Sequence, residues 1–89
     1  MSLGLAIQKI SEYTGALQTI SEEVDKTEYD VMKAANEKSG DAFKEAHIRL
    51  TRLKTLMGLI KDFIEFWKDV LKTFLGLLKG MNELIRGGQ

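Results

Sequence analysis

From Phe43 to Ile85 an apolar residue recurs every seven positions without a break: Phe43, Leu50, Met57, Ile64, Leu71, Leu78 and Ile85. The positions three further on agree, with Ala46, Leu53, Ile60, Trp67, Phe74 and Met81. The chain contains no proline to interrupt this pattern. A seam sustained over so many repeats predicts one long amphipathic helix with coiled-coil-like packing.

The apolar surface of that helix is wider than a coiled-coil seam. At about 100° per residue, Leu56, Phe63, Val70, Leu77 and Leu84 fall beside the seam, and Leu59 and Phe66 lie just beyond them. Together they widen the apolar arc to roughly 160°, against the ~100° that a core-facing helix needs. Burying these extra side chains is worth on the order of 10–20 kcal/mol, comparable to the whole net stability of a domain. Something has to cover them, and the remainder of the chain supplies only part of that cover.

Upstream, the seven-residue spacing recurs as a thinner stripe: Leu3, Ile10, Leu17, Val24 and Val31, with Ala6, Tyr13, Ile20, Thr27 and Ala34 at the fourth positions. The stripe stays in phase across Gly15, which predicts one helix over about 5–38; the alternative is a restart at Thr19-Ile20-Ser21-Glu22, which has the form of a capping box. The break at Asn36 to Asp41 predicts a turn over 39–41. Gly40 is expected in the left-handed conformation, with Ser39 or Asp41 capping the next helix. A second helix over about 42–86 and a frayed tail at 87–89 complete the expectation. So short a connection makes the helices antiparallel neighbours, placing Val24 near Leu53 to Ile60 and Leu3 near Phe74 to Met81.

Charge supports a chain folded on itself. Residues 1–41 hold four Lys and eight acids, and residues 42–89 hold nine basic residues and five acids, for a net charge of zero. Glu23, Glu28, Asp30 and Glu37 flank the first stripe, and His47, Lys54, Lys61 and Lys68 run along one flank of the second. Such pairs select an orientation more than they stabilise it, at about 0–1 kcal/mol each. Of the glycines in the second helix, Gly58 and Gly76 lie on its polar side, whereas Gly80 borders the apolar arc where a neighbouring backbone can approach.

Several function classes lose support on composition. Zero net charge weighs against nucleic acid, and the basic residues Lys44, Arg49, Arg52 and Lys54 have an acidic helix to pair with. Without cysteine there is no disulfide, thiolate nucleophile or cysteine–zinc site. Ser39, Asp41 and His47 are the residue types of a triad, but they belong to one turn and its helix. The acids from Glu22 to Asp30 lack the loop that calcium requires, and the glycines form no phosphate-binding loop. Trp67 is followed by Lys68 and Asp69, so the tryptophan-x-glycine turn of one group of small secreted hairpins is missing, as is the proline turn of needle subunits. Neither a signal peptide nor a run approaching the ~20 apolar residues of a spanning helix is present, so the expectation is a soluble protein, cytoplasmic by default.

The fold expected is therefore all-α: a two-helix antiparallel hairpin with a long second helix. Its four-helix-bundle-like core is completed by self-association, with a dimer favoured, or by a heterologous helical protein. No catalytic, cofactor or metal site is expected. The interface is assigned to Leu56, Leu59, Phe63, Phe66, Trp67, Val70, Phe74 and Leu77. The alternative is a membrane-active protein whose second helix lies on a lipid surface, although residues 56–85 balance four Lys with four acids.

Overall fold

A computed structural model describes residues 2–87. Two helices account for nearly all of them, α1 at Leu3–Asn36 and α2 at Gly40–Gly87. They pack against each other as an antiparallel hairpin measuring 76 × 18 × 14 Å. The radius of gyration is 21.1 Å, where a compact domain of this length would have about 12 Å. The chain is a rod with a seam rather than a body with a closed core.

Ser2 caps α1, its hydroxyl oxygen accepting from the Leu5 N–H at 3.1 Å. The helix therefore starts at Leu3, where the stripe begins, slightly ahead of the expected start at about residue 5, and it ends at Asn36 rather than at about residue 38. It runs unbroken through Gly15, and the Thr19 hydroxyl donates back to the Gly15 carbonyl at 3.2 Å instead of capping a new helix.

The turn falls two residues before the expected place. Lys38, not Gly40, takes the left-handed conformation, with φ of 55°, and Gly40 is the first residue of α2. The reason is where the last carbonyls of α1 find donors. Ser39 N–H reaches the Ala34 carbonyl at 3.0 Å and Lys38 N–H reaches that of Ala35 at 3.2 Å, the paired bonds of a Schellman ending. Ser39 then stands at the start of α2, its carbonyl accepting from Phe43 N–H at 2.9 Å. At the far end Gly87 is still helical, so the expected fraying does not begin there. Positions 88 and 89 lie outside the described residues.

The seam follows the heptads. Ala6, Val24, Thr27 and Ala34 of α1 and Ile60 and Ile64 of α2 are buried. Leu50, Leu53, Met57, Trp67, Leu71 and Phe74 are half-buried, because one thin helix touches only one side of them. Tyr13 stacks on Phe63 with ring centroids 5.6 Å apart and sets the register. Ion pairs Glu23–Arg49 at 3.4 Å and Glu28–Lys54 at 3.6 Å join the helices nearer the turn.

Of the expected flank charges, Lys54 and Glu28 meet, whereas Glu23 is taken by Arg49 and by Lys26 of its own helix. In the Tyr13–Phe63 register Lys61 comes opposite Gly15, whose nearest acid, Glu12, pairs with Lys9. Lys68 turns to Glu65 of its own helix at 3.6 Å.

The largest departure from expectation is at the open end. Counting back from Tyr13, α1 ends at Leu3 opposite about Thr73 and Phe74, whereas α2 continues to Gly87. Residues 75–87, about 20 Å of helix, project past α1. Leu78, Met81 and Ile85 keep the seam register, yet they are exposed because no part of α1 reaches them.

Candidate functional site

Among the described residues only apolar surface is concentrated enough to suggest a site, and most of it lies on α2. Of the residues assigned to an interface, Leu56, Leu59, Phe63, Phe66 and Leu77 are exposed, while Trp67, Val70 and Phe74 are half-buried where the face turns into the seam. Phe63 is 51% and Phe66 54% exposed. Phe63 has one ring face on Tyr13, and Phe66 meets the Trp67 ring edge-on at 5.4 Å, so both aromatics are held in place without being covered.

These side chains form a second seam. Leu56, Leu59, Phe63, Phe66 and Val70 step alternately by three and four residues, and the steps continue through Thr73, Leu77, Gly80 and Leu84. This is heptad spacing, rotated roughly 100° around α2 from the seam that α1 occupies. It stops abruptly upstream, where Arg49 and Arg52 hold the equivalent positions and both are exposed. Two shallow grooves open along it. One is lined by Tyr13, Phe63, Phe66 and Trp67 with Asp62, the other by Phe66, Val70, Phe74 and Leu77 with Asp69 and Thr73.

The projecting end adds Leu75, Leu78, Met81, Leu84 and Ile85, with Leu84 77% exposed. Of these, Leu78, Met81 and Ile85 count as seam residues facing α1 on periodicity alone. The difference in helix length, found by counting back from the turn, is the signal that would expose them. Leu84 and Gly80 also belong to the second seam, which its spacing of three and four identifies.

Charge on the outer flank of this second seam is divided along the helix. Asp62, Glu65 and Asp69 occupy its first half; Lys72, Lys79 and Arg86 occupy its second, with Glu83 one turn from both Lys79 and Arg86. All of these side chains are exposed.

Elsewhere the polar residues are dispersed. His47 lies against Phe43, ring centroids 6.0 Å apart, and Asp41, six positions earlier, is on a different side of α2. Among the described residues no group of three or more His, Asp or Glu is gathered where it could hold a metal ion, and no helix is long and apolar enough to cross a membrane. Tyr29 and Met32 are exposed on the back of α1 as isolated apolar residues. Compared with models of protein families, with curated proteins and with solved structures, the chain matches none of them.

Proposed function

We propose that this protein is a non-enzymatic helical assembly module, which associates through the second apolar seam of α2. The observation that carries this reading is the row from Leu56 to Leu84, spaced as a helix-packing seam and left open by α1. The accessible surface of 6840 Å² gives it scale, since a folded monomer of 10.0 kDa exposes about 5,200 Å². The excess is roughly twice the ~800 Å² that each partner contributes to a stable interface. A helical partner packed on this seam, a second copy or a heterologous hairpin, would complete a four-helix arrangement with α2 at its centre, because α1 has no comparable second seam to offer.

A second reading is favoured by one observation, the projecting end of α2. Its exposed Leu, Met and Ile side chains and its Lys79 and Arg86 suit an amphipathic helix lying on a lipid surface.

The double substitution Phe63→Glu with Phe66→Glu tests both. Unpaired carboxylates in an apolar interface cost several kcal/mol, enough to turn a micromolar dimer largely into monomers. Sedimentation of wild type and variant over a range of concentrations, with liposome flotation of each, is the measurement. The assembly reading predicts a wild type that associates and does not float, and a helical variant that no longer associates. A wild type that is monomeric and floats overturns it in favour of the lipid surface.

A further inference from the structure

The assembly reading leaves the occupant of the second seam open, and we infer that it is a second copy of this chain. The two α2 helices run antiparallel about a twofold axis between Leu71 and Lys72. This inference rests on the reading above and adds the partner, its direction and its register.

Three independent features converge on that axis. The first is length: the seam begins at Leu56 and α2 ends at Gly87, so an axis midway between them lays the whole exposed stretch of one copy along that of the other. The projecting end, residues 75–87, then lies beside residues 56–68 of the second copy, next to the groove at Tyr13 and Phe63. One contact thus covers both exposed regions, the open flank and the uncovered end.

The second feature is charge. An antiparallel arrangement brings Asp62, Glu65 and Asp69 of one copy alongside the half that carries Lys72, Lys79 and Arg86 in the other. In a symmetric parallel arrangement the two outer flanks lie on opposite sides of the contact, so these charges find no partners across it. Opposed halves on one helix are complementary to their own reverse, so only the antiparallel contact gains these pairings.

The third feature is size. About this axis the facing residues along the seam are Leu59 with Leu84, Phe63 with Gly80, Phe66 with Leu77 and Val70 with Thr73. The largest side chains meet small or slender ones, as interdigitating layers require. Gly80, like the other glycines of α2, has nothing within 4 Å of where a side chain would begin, and it is the one that lies within the second seam, so a partner side chain can approach its backbone there. Phe63 of the second copy fills that space.

The test uses single-cysteine variants of the full chain, which has no cysteine of its own. Val70→Cys and Thr73→Cys are oxidised separately and mixed, and disulfide-linked dimer is followed with time. The expected result is that the mixture cross-links severalfold faster than either variant alone, because position 70 faces position 73 of the other copy. A companion variant, Gly80→Leu, is expected to form a hairpin at least as stable as wild type by thermal melting while weakening association at least tenfold. A wild type that dimerises while Val70→Cys cross-links with itself as fast as the mixture overturns the antiparallel register and leaves the assembly reading in place. A wild type that is monomeric at every concentration overturns the second copy; if it also floats with lipid, the assembly reading falls with it.

Discussion

Lys38 is the one residue other than glycine, among those described, with a positive φ, and its position two residues before Gly40 has a measurable consequence. A left-handed residue with a Cβ costs about 1–2 kcal/mol, and glycine recovers that at the expense of a more flexible unfolded chain. Lys38→Gly should therefore stabilise the hairpin by roughly 0.5–1 kcal/mol in a urea titration; a loss would mean the turn does not end α1 in this way. The glycine was legible in the sequence as the sign of a turn, but the position of left-handed backbone was not. It depends on which donors the carbonyls of Ala34 and Ala35 find. Thr27 is 1% exposed in the seam, and its hydroxyl donates to the Glu23 carbonyl at 2.8 Å. That carbonyl already accepts a backbone N–H, so Thr27→Val leaves no buried group unpaired and should change stability by less than about 1 kcal/mol, towards gain. Ile64→Ala in the same seam should cost about 2–5 kcal/mol. Equal effects of the two would contradict the seam as described.

The elements divide into what periodicity determines and what length determines. Helix identity, antiparallel pairing and the inner face of each helix were legible because Val24, Thr27, Ile60 and Ile64 sit on the heptad rows and are buried. The projecting end was not, because Leu78, Met81 and Ile85 continue those rows past the point where α1 stops; a repeat records which face a residue shares and not whether a partner reaches it. Charge shows the same limit. Lys54 and Glu28 meet as their flanks suggest, whereas Lys61 has the right flank and no acid opposite. A double-mutant cycle on Lys54 and Glu28 should therefore return a small coupling, at most about 1 kcal/mol, and the same cycle on Lys61 and Glu28 should return none. Gly15 and Gly58 lie in helix interiors with open space where a side chain would begin. Replacing each by alanine should raise stability by up to about 1 kcal/mol, additively, and circular dichroism melts of the two single variants and the double variant check this.

At the scale of the whole molecule, one hairpin buries few side chains fully and leaves a heptad-spaced face and a helical end exposed. The assembly proposed here resolves both with a single symmetric contact, which also fixes its overall length. Two 76 Å rods overlapped along residues 56–87, about 48 Å at 1.5 Å per residue, span about 100 Å. Small-angle X-ray scattering of the wild-type chain reads mass and maximum dimension together. The account predicts twice the 10.0 kDa chain mass with a longest dimension of about 100 Å. A particle of single-chain mass no longer than the 76 Å hairpin, or one of double mass at that same length, would contradict it.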